Sequence, residues 1–196
     1  MGSRLAWDDS VYLRNSVQVA AKILVVGHFA VGKTTFIGTL SEIPPLRTEE
    51  EMTQVGAGIE APKGAPGKTT TTSAMDFGRL TLSERLVLYL FGTPGRRCFV
   101  QVWEDMTRGA LGALVLVDPQ RLDEPIPVMD LVGHYGIPYA IAVNHFDGTP
   151  AHSLDEIREA LDLLPETPVV RCDARDHRSS ADSLIALVRY LQSRLQ

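Results

Sequence analysis

The residues best suited to do chemistry fall in one run near the N-terminus. Gly27-His28-Phe29-Ala30-Val31-Gly32-Lys33-Thr34 fits the spacing G-x-x-x-x-G-K-[ST]. The glycines let a backbone wrap closely around an anion, so that its N–H groups point inward. Lys33 brings positive charge to the outermost phosphates of a nucleotide, and Thr34 offers a hydroxyl to Mg²⁺. A helix opening at Lys33, Thr34 and Thr35 turns the positive end of its dipole toward the same anion. The competing reading is a glycine-rich turn that matches by accident. Glycine makes up ~7% of average sequence, so an accidental match in a chain of this size is of order one per cent. The context lowers that further, because the motif directly follows the apolar run VQVAAKILVV at residues 17–26.

A second constellation lies much later in the chain. Asn144 and Asp147, in Ala142-Val143-Asn144-His145-Phe146-Asp147, fit N-[KT]-x-D except for His145. They stand at the carboxyl end of an expected strand, where open parallel sheets bind ligands. A carboxylate there accepts two N–H bonds from the ring and exocyclic nitrogens of guanine, whereas adenine presents no such pair. A mismatched base leaves the carboxylate without partners, which makes such a site selective. Farther on, Asp173-Ala174-Arg175 follows the last expected strand, in the place of a short loop whose backbone N–H bonds the guanine carbonyl oxygen. Alone, N-x-x-D is a weak signal, since Asn and Asp are common turn residues.

These loops need a frame. Strands are expected at residues 17–26, 73–82, 85–91, 110–117, 138–143 and 168–172. Helices are expected up to Leu40, over 99–108, over 123–135 with prolines interrupting, over 153–164 with Ser153 as N-cap, and along the stripe Leu184, Leu187, Val188, Leu191 and Leu195. Strands alternating with helices predict an α/β fold, a six-stranded and mostly parallel sheet covered on both faces. Residues 1–16 read as a loose arm and 17–196 as one domain, without internal repeat or linker. Residues 42–72 form a 31-residue stretch holding four glycines and four prolines. Loops that long are usually functional.

Composition narrows the setting. With 19 Lys and Arg against 24 Asp and Glu the net charge is −5, which gives no electrostatic case for nucleic acid as partner. Two cysteines, Cys98 and Cys172, make no disulfide framework and point to a reducing compartment. No apolar run approaches the ~20 residues of a membrane span, and no signal segment opens the chain. The cytoplasm is the expected location, with membrane contact only peripheral and through partners. The five histidines, at 28, 134, 145, 152 and 177, show no metal-ligand spacing. Trp103 and Phe99 read as core packing first and as a partner surface second.

With these motifs in hand, the chain from about Ala21 onward resembles a Ras-like small GTPase. More narrowly it is similar to the actinobacterial conservon GTPases, relatives of the bacterial gliding-polarity GTPase. The segments that carry the likeness are KILVVGHFAVGKTTFIGTLSE, KTTTTSAMDFGRL, LVLYLFGTPG, LVLVD and AVNHFDG. The resemblance implies a three-layer P-loop G domain, a GDP/GTP switch, Mg²⁺, and a roadblock-type partner encoded in the same operon. It places the first switch in the long loop, where Thr72, with Thr71 the next choice, contacts Mg²⁺ and the γ-phosphate. It places the second switch at Gly92-Thr93-Pro94-Gly95, with the Gly95 N–H on the γ-phosphate.

Two positions depart from the family pattern. Gly92 stands where an aspartate usually holds Mg²⁺ through water, so metal binding is weaker or another carboxylate takes over; Asp118, ending its own strand, is near in the order of the fold. Arg96 stands where the glutamine that orients the attacking water is usual. Arginine accepts no hydrogen bond. Arg96 instead stabilises transition-state charge, with Arg97 and Arg47 as lesser candidates, and intrinsic GTP hydrolysis is expected to be slow. The other readings are a GTP/GDP-binding regulatory module with negligible hydrolysis and an ATP-binding P-loop protein.

Overall fold

A computed structural model describes residues 17–44, 46–48, 75–93, 100–148 and 152–195. The expected arm at 1–16, the threonines 69–72 with Thr72, and residues 94–99 with Gly95, Arg96, Arg97 and Cys98 lie outside the described residues, as does the side chain of Arg47.

The apolar run before the phosphate loop forms β1 (Val19–Val26). It is buried on both faces, Ile23 and Val25 toward one and Leu24 and Val26 toward the other, as a central parallel strand requires. Around it lie β3 (Met75–Ser83), β4 (Leu86–Gly92), β5 (Ala110–Val117), β6 (Tyr139–Asn144) and β7 (Val169–Cys172). These are the six expected strands. A further three-residue strand, β2 (Leu46–Thr48), pairs antiparallel with β3 at the sheet edge, inside the stretch expected to be loop throughout. The complete order is β2-β3-β4-β1-β5-β6-β7. From β4 to β7 the strands run parallel, whereas β3 is antiparallel to β4.

One face is covered by α1 (Lys33–Leu40) and α5 (His177–Ser193), which bury Phe36, Ile37, Leu40, Leu184 and Leu187 against Ile23, Val25, Leu90 and Leu114. The other is covered by α2 (Val100–Thr107), α3 (Ile126–His134) and α4 (Leu154–Ala160), which bury Trp103, Met106, Met129, Val132 and Ile157 against Leu24, Val26 and Val115. Trp103 is therefore core. The prolines expected to interrupt α3 sit at its start, Pro125 at the N-cap and Pro127 just inside, where a missing N–H is tolerated. Ser153 caps α4 through a reciprocal bond pair with Glu156. Helix α5 starts at Asp176, its N-cap, well before the leucine stripe. None of the described helices is long and apolar enough to cross a membrane.

Topology fixes where chemistry can occur. The loops after β1, β6 and β7 leave the same edge of the sheet, because those strands are parallel. Antiparallel β3 begins at that edge, so Asp76, its second residue, pairs across the ladder with Gly92, the last residue of β4.

Candidate functional site

The loop after β1 is shaped for an anion by its backbone. Gly27 has φ 146°, and a Cβ there would stand 2.6 Å from the Leu116 carbonyl oxygen of β5. Gly32, with φ 105°, forms the N-cap of α1. Both are conformations open mainly to glycine; Ala30, at φ 63°, adopts the left-handed region without that freedom. No side chain caps α1 and no acid lies in its first turn. Its leading N–H groups therefore suit an external anion.

Lys33 folds over this loop, its Nζ donating to the carbonyl oxygens of Gly27 (2.9 Å) and His28 (2.7 Å). Burial strips water from the ammonium and lowers its pKa to about 8, against an opposing pull from Asp76. His28 is buried and donates from Nδ1 to the Phe29 carbonyl (2.6 Å), while desolvation lowers its pKa. Phe29 is exposed and Val31 fully buried. Thr35 is exposed in the first turn of α1.

Beside Lys33, the Thr34 hydroxyl donates to a carboxylate oxygen of Asp76, which is only 4% exposed. A carboxylate thus stands on the neighbouring strand at the height of Gly92. A Cβ on Gly92 would lie 3.0 Å from the Asp76 Cβ and 2.9 Å from Ile37 Cδ1. Glycine there makes room for Asp76. Asp118, the carboxylate named in its place, is held elsewhere. It accepts from Arg121 Nε and the Gln120 N–H, both at 2.9 Å, and braces its own turn. Among the described residues no three His, Cys, Asp or Glu form a metal-binding group. A hydroxyl and one carboxylate beside a phosphate cradle suit Mg²⁺, which keeps water and takes its other ligands from phosphate oxygens.

At the base end, Asn144 is 3% exposed and works as a strut. Its Nδ2 donates to the Val31 carbonyl in the phosphate loop, and its Oδ1 accepts from the Ala174 N–H, both at 2.9 Å. A buried amide with both ends engaged locks the two loops together. Thr39 adds a second tie, its hydroxyl donating to the Ala174 carbonyl at 2.8 Å. The expected backbone donor to a guanine carbonyl is not free in this arrangement. The N–H of Asp173 goes to Ser179 Oγ, that of Ala174 to Asn144, and that of Arg175 to Asp173 Oδ1. Short polar side chains capture loop N–H groups in this way.

Asp147 stands three residues beyond Asn144 with its carboxylate 84% exposed at the sheet rim. It accepts a two-pronged contact from the Arg175 guanidinium, Nη1 to Oδ2 at 3.0 Å and Nη2 to Oδ1 at 3.2 Å, and that contact lowers its pKa. Asp173 accepts from Nε and Nη2 of the same guanidinium at 2.9 and 3.0 Å and is lowered to about 2.

The structure therefore brings together the 27–35 loop, Asn144, Asp147 and residues 173–175. It adds Asp76, which sequence reasoning missed. Nothing local in the sequence marks it, because its place comes from the cross-strand pairing with Gly92.

Solved structures share this fold. The G domain of the T. maritima FeoB iron transporter superposes with TM-score 0.60 at 15% identity, over 88% of this chain and 99% of that one. The Arl6 BBS3 small GTPase from Trypanosoma brucei, solved with the nucleotide analogue GppNp, gives TM-score 0.60 at 17% identity over 89% and 99%. The FeoB G domain of Methanococcus jannaschii gives 0.57 at 14% over 88% and 98%. At these identities the likeness concerns the P-loop G-domain fold. No curated protein matches the sequence. The profile of the family described as conserved hypothetical ATP binding protein matches residues 25–194, and the chain belongs to that family.

Proposed function

We propose that this chain is a guanine-nucleotide-dependent molecular switch that binds GDP and GTP with Mg²⁺ and hydrolyses GTP slowly. The observation that carries the reading is the rim carboxylate of Asp147, set on the strand end that Asn144 ties to the phosphate loop. A carboxylate at that point takes two N–H donors, and Arg175 already offers it such a pair. Guanine has the matching edge and adenine has not. Lys33 and the N–H groups at the start of α1 would grip the phosphates. Thr34 and Asp76 would hold Mg²⁺, which neutralises charge on the β- and γ-phosphates. From the family resemblance, Thr72 would join them on the metal, the Gly95 N–H would touch the γ-phosphate, and Arg96 would stabilise transition-state charge. Release of the γ-phosphate would free both switch segments. The same resemblance supports a conservon-type chain that signals to a roadblock-type partner in the cytoplasm.

Membership of a family described as ATP binding favours a second reading, an ATP-binding protein. Calorimetric titration with GDP and ADP decides between them. GDP is expected to bind at least a hundredfold more tightly, in keeping with two charge-assisted hydrogen bonds that guanine makes and adenine cannot. Equal affinities would establish the second reading. Phosphate release from GTP with and without the partner then measures hydrolysis.

Lys33 supplies a pH signature. Its pKa of about 8 in the free protein must rise when phosphate contacts the ammonium. GDP binding at pH 8 is therefore expected to take up about half a proton, and affinity falls as pH rises above 8. Calorimetry in buffers of different ionisation enthalpy reads the uptake. Lys33→Arg keeps the charge and cannot deprotonate, so its contribution to uptake should vanish.

A further inference from the structure

The guanidinium of Arg175 and the pyrimidine edge of guanine present the same pair of donors. In guanine, N1, N3 and the exocyclic N2 on C2 form a planar, neutral guanidine unit, and the N1 and N2 N–H bonds point in parallel. In Arg175, Nη1 and Nη2 do the same, and they lie on the two oxygens of Asp147 at 3.0 and 3.2 Å. We infer that Arg175 is a built-in competitor for the base, occupying on Asp147 the place that the guanine edge takes. The inference rests on the guanine reading of Asp147.

The surroundings make this a reversible stand-in rather than a lock. Arg175 is 53% exposed and Asp147 84%, so their pairing is a solvent-screened one. Asp173 holds the same guanidinium from its other side, through Nε at 2.9 Å and Nη2 at 3.0 Å. When guanine arrives, Arg175 releases Asp147 and keeps Asp173, so the arginine stays beside the site. Asp173 loses none of its contacts in that exchange. A carboxylate takes one parallel fork at a time in its plane, so the two states exclude each other. A fraction of the free protein then has a closed base site, and the apparent dissociation constant of any nucleotide that needs Asp147 rises by the reciprocal of the open fraction. The strength typical of exposed ion pairs puts that factor at roughly two to five. Because the competitor occupies Asp147 alone, it raises the constant for GDP and leaves that of ADP, whose base makes no pair with Asp147, unchanged.

The test compares GDP and ADP binding by calorimetry, with association rates of fluorescent GDP by stopped flow, in wild type, Arg175→Ala and Arg175→Lys. Both variants are expected to bind GDP roughly two- to fivefold more tightly, with faster association, unchanged ADP affinity and a GDP-to-ADP ratio widened by the same factor. Lysine retains charge and lacks the fork. If Arg175→Lys behaves like wild type, a bare charge suffices and the competitor role is overturned. Unchanged or weaker GDP binding by Arg175→Ala overturns it as well, since a residue that helps hold the base would give that result. The GDP-to-ADP ratio of the wild type tests the guanine reading separately, and equal affinities there remove both.

Discussion

Asp147→Asn is expected to bind GDP about a hundred- to a thousandfold more weakly and to gain xanthine diphosphate in its place. One charge-assisted hydrogen bond to the guanine edge is lost, the other loses its charge, and two donors are set against each other, together roughly 3–4 kcal/mol, and every 1.4 kcal/mol is about tenfold in affinity. The asparagine presents one donor and one acceptor. Guanine offers two donors and leaves the new amide group facing an N–H. Xanthine offers a carbonyl and an N–H, which fit. The variant also frees Arg175, whose pairing with Asp147 closes the site in the wild type. That gain is far smaller than the loss. Because Asp147 is 84% exposed and pairs with the half-exposed Arg175, the fold should be unaffected. Titration of the purified variant with GDP and xanthine diphosphate checks it, and retention of wild-type GDP affinity would refute the role given to Asp147.

The second large effect concerns Gly92. Restoring the aspartate usual in this fold, Gly92→Asp, is expected to damage the protein rather than improve it. The new Cβ would lie 2.9 Å from Ile37 Cδ1 and 3.0 Å from the Asp76 Cβ, so the end of the Ile37 side chain must turn away and Asp76 must give by a few tenths of an ångström. The new carboxylate also faces Asp76, which is already 4% exposed. Overpacking costs about 1–3 kcal/mol, and a second buried charge of like sign adds to it. A loss of roughly 2–4 kcal/mol in stability follows, or about 5–15 °C in Tm for a chain of this size. The double variant Gly92→Asp with Asp76→Gly moves the carboxylate to the neighbouring strand and removes the collision. It should recover most of the lost stability, together with Mg²⁺-dependent retention of GDP. Thermal unfolding and the rate of GDP release after chelation measure both. Gly92→Asp melting with the wild type would contradict the steric account.

How far the site could be read in advance depended on how local each part is. The phosphate loop was legible because eight consecutive residues carry it, directly after an apolar strand. Asp147 was legible as a candidate because only two residues separate it from Asn144. Asp76 was not, since its role comes from pairing with Gly92, 16 residues along the chain. A one-residue slip in that ladder would turn it to the other face. The strut role of Asn144 was hidden for a similar reason: its partners, Val31 and Ala174, are 113 and 30 residues away. Arg175 was placed in the base site, but the engagement of every N–H from 173 to 175 by side chains was not foreseen. That outcome depends on where Ser179 and Asn144 stand in space. Strand β2 escaped because three residues carry no periodicity, and the prolines of α3 misled because their effect depends on helix position.

The short strand β2 has a further consequence. Thr48 and Met75 are directly opposed in the antiparallel ladder, so residues 49–74, 26 in all, depart from and return to a single rung. The sheet is indifferent to how many residues travel between them, because the penalty for closing a longer excursion grows only logarithmically. A peptide or a small domain spliced into that interval would leave the strand alignment untouched. Its return point would lie one residue from Asp76, which makes this interval a natural place to attach a sensor to the corner where Thr34 and Asp76 meet.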